Sequence, residues 1–279
     1  MRGACAMLVA ALVLSCQSSS ERPPPPTCVG DCGLDPGLGA GMSPGGGGAE
    51  GEGGSDGGTS KGVLLTGRVL VLNDDVNFVS GAPYTGVTDL KTKGVDGRTV
   101  TAQWNGSEPF SLVGVLRTAP LWVLATPQNL RADDVLPVLE PVRTDKPDAQ
   151  GTVTADLALV HATSIDRLFE LASVPLTNDS SKAQIILRLV DKTSTATDPP
   201  PLPGIGVSAP TAEATLYGAS GGFSSVATAT DVTGVVVLAN VGGAAYPGAL
   251  VHVEFSGART AGTDVPAVTG AVTLTTIPL

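Results

Sequence analysis

From Val63 to Leu279, apolar and polar positions alternate in short runs punctuated by Gly, Pro, Asn and Asp, the pattern of strands buried on one face and wet on the other. The run VLLTGRVLVLN, Val63 to Asn73, predicts a first strand that stops at the turn-like NDD. In RTVTAQW, Val100, Ala102 and Trp104 alternate with Thr99, Thr101 and Gln103. Asn105-Gly106 then predicts a hairpin, because a type I′ turn needs positive φ at both central positions. PFSLVGV resumes the alternation with Phe110 and Leu112 inward, and PLWVLATP is a continuous apolar run of the sandwich-core kind. A second series starts at AQIILRLVD, Ala183 to Asp191, and passes a Pro-rich loop, DPPPLPG. It continues through IGVSAP, AEATLYG, FSSVATAT, GVVVLANV, GALVHVEF and GAVTLTTIPL. Short strands at this spacing predict a β-sandwich in each series.

One segment has helical periodicity instead. In TSIDRLFELAS, the residues Ile165, Leu168, Phe169 and Ala172 fall on one helix face, with Ser164 as the expected cap and Pro175 as the stop.

Before residue 62 the pattern is different again. Arg2 followed by the apolar Ala4–Leu14 reads as a secretory signal, too short for a membrane span of about 20 residues. From Gln17 to about Lys61 the chain is Ser, Pro, Gly and acid with almost nothing to bury, which predicts a disordered tether. At Gly-rich stiffness, about 45 residues give a root-mean-square reach of roughly 35 to 40 Å.

The order Val13, Leu14, Ser15, Cys16 resembles the lipobox of bacterial lipoproteins. That resemblance implies a Cys16 acylated on sulfur, first in the mature chain, and a partner that is the membrane itself, reached through a lipid anchor. The alternative is an ordinary signal peptide cut after Ser18 or Ser19. Gln17 in place of an acidic retention signal implies the outer membrane of a Gram-negative cell. Cys28 and Cys32, in CVGDC, can close a small disulfide in an oxidising compartment, remain free or intermolecular, or supply two metal ligands. Two thiolates alone do not make a zinc site, and both histidines, His161 and His252, lie far away.

A second resemblance lies in TDVTGVVVLANVGGAAYPGALV, Thr230 to Val251. It is similar to the pattern T-D-x-x-G-x-F-x-L-x-x-V-x-x-G-x-Y of carboxypeptidase regulatory-like domains, carried by Asp231, Gly234, Leu238, Val241 and Tyr246. Val236 stands where the family has an aromatic, and Ala244-Ala245 replaces the glycine before the tyrosine. NGSEPFSLVGVLRTAPLWVLATP repeats the order with Gly106, Phe110, Leu112 and Val115, without the tyrosine. The likeness implies transthyretin-like sandwiches that accompany other activities without catalysing any.

Charge and composition narrow the chemistry. A net charge of −10, with scattered Lys and Arg, argues against nucleic acid as a partner. Gly46, Gly48 and Gly51 satisfy G-x-G-x-x-G, but no strand precedes and no helix follows, so the string is compositional. Gly218, Ser220 and Gly222 match G-x-S-x-G, with Asp231 and His252 downstream in hydrolase order, yet β pattern continues on both sides. Asp74, Asp75 and Asn77 lack the ligand ladder of a calcium loop, Asp133-Asp134 reads as a solvated loop or helix start, and His161 reads as a boundary residue. Trp104, Trp122, Phe110 and Phe255 read as core. Tyr84, Tyr217 and Phe223 are the aromatics left for stacking on a sugar, with Tyr217 and Phe223 flanking a hairpin as the candidate glycan-binding pair.

The sequence thus predicts an all-β chain. It divides into a signal peptide (1–15), a tether (16–62), a first sandwich (63–142), a connecting segment with a short helix (143–182) and a second sandwich (183–279). The two units are antiparallel and transthyretin/Ig-like. The expected function is a non-enzymatic, lipid-anchored envelope protein that presents these modules to a protein or glycan partner, with no cofactor and no metal site. Envelope glycan or peptidoglycan binding is the alternative, and a serine hydrolase through Ser220 a distant one.

Overall fold

A computed structural model of the chain describes residues 62–72, 81–129, 134–196, 198–219 and 222–279. The signal peptide, Cys16, Cys28, Cys32, the tether, Asp74, Asp75, Asn77, Asp133 and Ser220 lie outside the described residues.

The first half carries β1 (Val63–Gly67), β2 (Val69–Val71), β3 (Ala82–Pro83), β4 (Thr88–Lys93), β5 (Thr99–Trp104), β6 (Phe110–Val115) and β7 (Leu121–Pro127). It continues with β8 (Val135–Leu136), β9 (Val138–Val142), β10 (Thr152–Thr154) and β11 (Leu157–His161), followed by α1 (Ala162–Leu171). The second half carries β12 (Ala183–Val190), β13 (Ile205–Ser208), β14 (Ala214–Ala219), β15 (Gly222–Ser224), β16 (Val235–Val241), β17 (Ala249–Gly257), β18 (Ala261–Ala267) and β19 (Val272–Pro278).

The described chain is all-β apart from α1, and its halves repeat one wiring. The leading strand pairs antiparallel with a middle strand and parallel with a late one: β1 with β6 and β10, β12 with β16 and β19. The opposing layers are β4-β7-β9 and β13-β17-β18, each antiparallel throughout. Only the third strand differs. β5 adds to β4, whereas β14 adds to β16, on the other layer.

Two expectations need correction. Asn105-Gly106 does not form a hairpin, because β5 and β6 belong to different sheets. Asn105 Oδ1 accepts from the Ser107 amide and hydroxyl, and the Trp104 indole N–H donates to the Glu108 carbonyl, so residues 105–109 fold into a corner that carries the chain across the sandwich. Ser164 does not cap the helix either. α1 begins at Ala162, whose amide bonds the Asp134 carbonyl, while the Asp134 carboxylate accepts the Thr163 amide and hydroxyl from a distant loop. Ser164 is buried, and its hydroxyl has no hydrogen-bond partner among the described residues.

The segment read as a connection also carries strands. β10 and β11 run parallel to β1 and β2, and both runs break at the same level. There Arg68 and Asp156 form a two-point ion pair (2.7 and 3.4 Å), and a Cβ on Gly67 would stand 1.8 Å from the Ala155 carbonyl oxygen. Only glycine fits that approach.

A nine-stranded sheet, β15-β14-β16-β12-β19-β9-β7-β4-β5, runs through both halves. Its strands β12 and β16 are buried on both faces, which is why AQIILRLV and VVVLANV are apolar at nearly every position rather than alternating. One face, with Ile185, Leu187, Val236, Leu238 and Tyr217, closes on β13-β17-β18. The other, with Ile186, Leu216, Val235 and Val237, joins a single core with the α1 residues Ile165, Leu168 and Phe169 and the interior of the first sandwich. α1 ends at a Schellman motif, with Ser173 left-handed (φ 55), Ser173 N–H donating to Glu170 O and Val174 N–H to Phe169 O.

Beyond α1 the chain is fastened to β16 by a buried amide pair. Gln184 Oε1 accepts the Asn240 amide (2.9 Å), and Gln184 Nε2 donates to Asn240 Oδ1 (2.6 Å) and Asn178 Oδ1 (3.2 Å). Asn240 Nδ2 donates to Thr177 O and Glu213 Oε2, from a left-handed backbone (φ 51) that Asn tolerates better than most residues. Gln184→Leu strands the Asn240 amide without an acceptor. It is expected to lower unfolding stability by about 2 kcal/mol in urea titration; an unchanged midpoint would show that the latch contributes nothing.

Candidate functional site

The two halves share one sheet, but their strands separate toward one end of it. The result is a cleft of ≈ 730 Å³, with Trp122, Glu140 and Arg143 on the first-half side and Asp264, Leu274 and Thr276 among its second-half residues. Its volume falls within the ordinary range of ligand sites. A second hollow of ≈ 370 Å³, which includes Lys192 and Arg259, adjoins it through Thr263, Ile277 and Pro278.

Each lining residue owes its place to a strand register. Trp122 pairs with Pro141 across β7 and β9, so both sit on the face opposite Val123 and Glu140. The Trp122 indole is half-buried, and its carbonyl accepts from the Thr92 hydroxyl (3.0 Å) and the Tyr246 hydroxyl (3.3 Å). Burial pushes the Tyr246 phenol up, opposed by its hydrogen bond with Thr92.

Glu140 projects toward the first-half core. Burial pushes its carboxyl up to about 7, opposed by the hydrogen bond that Oε2 accepts from the Ala158 amide (2.9 Å). Arg143, itself exposed, instead pairs with its half-buried neighbour Asp145 (3.1 Å), holding that carboxyl below the usual carboxylate range. Asp264, at the rim, accepts a hydrogen bond from His252 Nδ1–H across β17 and β18 at 2.8 Å.

The sugar-stacking candidates are not gathered here. β14 extends to Ala219, which puts Tyr217 inside the second core at 4% exposure. Its hydroxyl accepts from the Val207 amide (2.9 Å) and donates to the Val207 carbonyl (3.0 Å), so it offers no face to a ligand. Phe223 packs half-buried against the first core, and Tyr84 is buried in that core. The hydrolase order is not assembled on Asp231, whose carboxylate accepts from the Thr233 amide and hydroxyl in a turn, while His252 is bound to Asp264. His161 stands at the start of α1. Among the described residues no group of three His, Cys, Asp or Glu could hold a metal ion.

The sequence reading missed Trp122, Glu140 and Asp264 as site residues. For Glu140 a signal existed: a carboxylate stands between apolar Leu139 and Pro141 in a strand, at an inward register position. Trp122 was hidden by its place in an apolar run.

Among the described residues no helix is long and apolar enough to cross a membrane. No protein-family model matches the chain, and no curated protein sequence is similar to it. Among solved structures, the chain is similar to one from Bacteroides eggerthii DSM 20697, provisionally named a cell adhesion protein. The likeness is 9% identity over 78% of this chain and 87% of that one, with a TM-score of 0.24, a superposition too loose to bear on fold or function.

Proposed function

We propose that this is an exported protein, held to the outer membrane by an acylated Cys16, whose two-sandwich body is a non-enzymatic binding module that meets its partner at the cleft between the halves. The observation that carries the binding part is the cleft itself: a half-buried indole, two carboxylates and a guanidinium line it where the sheet opens. The anchoring part rests on the lipobox-like order before Cys16 and on a Gly/Pro-rich segment long enough to hold the body clear of a bilayer. The likeness to carboxypeptidase regulatory-like domains supports a role in presentation.

Metabolic labelling with palmitate tests the anchor. The full chain is expected to incorporate label and sediment with membranes, and Cys16→Ala to lose both. Label on the Cys16→Ala protein would refute acylation at that residue.

A second reading, envelope glycan binding, is favoured by one feature. Trp122 presents a partly open indole in a cleft that Asp264 also lines, and an aromatic face together with a carboxylate can hold a sugar by stacking and by hydrogen bonds to hydroxyls. Co-sedimentation with purified peptidoglycan and envelope polysaccharides at low and high salt tests it. Retention that survives salt and is lost in Trp122→Ala supports it, and no retention discards it.

A further inference from the structure

The opening between the halves has a definite chemical cause. β19 runs parallel to β12 along its whole length, from Val272↔Gln184 to Pro278↔Val190, but pairs with β9 only at Val272↔Val138 and Thr273↔Leu139. The Leu279 amide donates to Val190 O (3.0 Å) and the Lys192 amide to Leu279 O (3.1 Å), so odd-numbered residues of this strand direct their backbone groups at β12. Val272 N–H donates to Pro137 O (2.8 Å), so even-numbered residues face β9. The next rung of that ladder needs an amide on residue 141 to meet the Leu274 carbonyl. Residue 141 is proline, which has none.

The ladder therefore stops. The Leu274 carbonyl, both backbone groups of Thr276 and the Pro278 carbonyl face the cleft with no described strand beside them. The edge is recessed, so a second sheet cannot reach it as it would an outer edge strand, but a single extended chain can. Its surroundings differ by face. Ile277, Val265 and Trp122 lie on the side of the second core, while Leu274 and Glu140 lie on the side of the first. Glu140 makes no ion pair with any described residue.

We propose that the split sheet is a binding site for an extended peptide, which adds as a strand to the free edge of β19 and alternates apolar side chains, set beside Trp122 and Ile277, with basic ones, set beside Glu140. The proposal rests on the reading of this cleft as the partner-binding surface. Main-chain hydrogen bonds to Leu274, Thr276 and Pro278 supply affinity for any extended chain, and the two unlike faces supply selection.

The test is fluorescence anisotropy of the full chain in detergent with three labelled peptides. One alternates valine and lysine, one alternates valine and glutamate, and one is the valine/lysine peptide N-methylated at alternate residues. The valine/lysine peptide is expected to bind, and the other two at least about tenfold more weakly. Thr276→Pro removes the one amide that the edge offers while leaving the β12 ladder intact, and should weaken the valine/lysine peptide about tenfold. Pro141→Val restores the missing donor, lets β9 zip onward along β19, and should also abolish binding. If Thr276→Pro does not fold, Pro141→Val and the N-methylated peptide decide alone. Equal binding of the N-methylated peptide, indifference to Pro141→Val, or no binding of any peptide overturns strand addition. Loss of binding in Trp122→Ala alongside either of the first two outcomes keeps the cleft as a binding surface and removes only the strand mechanism, whereas no binding of any peptide removes both.

Discussion

Phe169→Ala is expected to lower unfolding stability by about 3–5 kcal/mol, on the scale measured for a fully buried aromatic cut back to a methyl. Phe169 is completely buried on α1, in the core that also holds Val160 of β11 and Ile186, Val235 and Val237 on the back of the second-half sheet. Its ring is surrounded by elements from both halves, so a cavity there has no single loop that can collapse into it. The Schellman bond from Val174 to the Phe169 carbonyl and the Ser225 hydroxyl bond to the Ala172 carbonyl (3.0 Å) hold the helix end in place, further limiting relaxation. For a chain of this size the melting temperature should fall on the order of 10 °C. Phe255→Ala is the matched control, because Phe255 is also buried but lies in the core whose buried residues all come from the second half. If α1 joins the halves energetically, Phe169→Ala moves the whole transition together, whereas a drop confined to one of two separate transitions would show that the shared core does not couple them.

The strands were legible because each buries its faces in a way that periodicity records. RTVTAQW alternates since β5 has one wet face, and VVVLANV is apolar at every position but Asn240 since β16 has none. The helix was legible from Ile165, Leu168 and Phe169, which do face the core. Its start was not, because the capping group belongs to Asp134, which comes from a separate loop rather than from the helix's own sequence. Asn105-Gly106 misled for a related reason: a local turn signal cannot say whether the flanking strands will share a sheet, and the Trp104 indole bond to the Glu108 carbonyl helps turn the chain across the sandwich instead. Tyr217 looked like a flanking residue of a turn, yet the hairpin continues to the pair Ala219↔Gly222, which draws the ring inside. The cleft was least legible of all. It arises where residues 138–141 and 272–278 part, and its cause is a proline whose missing amide matters only in a register that sequence alone does not reveal.

Glu140→Gln is expected to stabilise the protein by on the order of 3 kcal/mol above pH 7 and to change nothing near pH 4. In the unfolded chain this carboxyl titrates near 4.5, whereas burial in the fold pushes it up to about 7. Between those values the folded state binds a proton that the unfolded state has released. Stability therefore falls as pH rises through the interval, and levels off once the folded carboxyl has ionised. Glutamine keeps an oxygen to accept the Ala158 amide and carries no charge to desolvate, so the variant should lack this slope. Asp145, Asp156, Asp179, Asp191 and Asp198 are shifted the other way, below the usual carboxylate range, so their contributions are lost only in more acid solution and are common to both proteins. Denaturant titrations of the two proteins at several values between pH 4 and 8 give the difference directly. A gap that opens between pH 4.5 and 7 supports a carboxylate held in place against stability at the mouth of a binding cleft, as functional carboxylates commonly are. A gap of constant size at every pH would mean that Glu140 is an ordinary structural acceptor for β11, and the case for a basic side chain beside it would fall with that result.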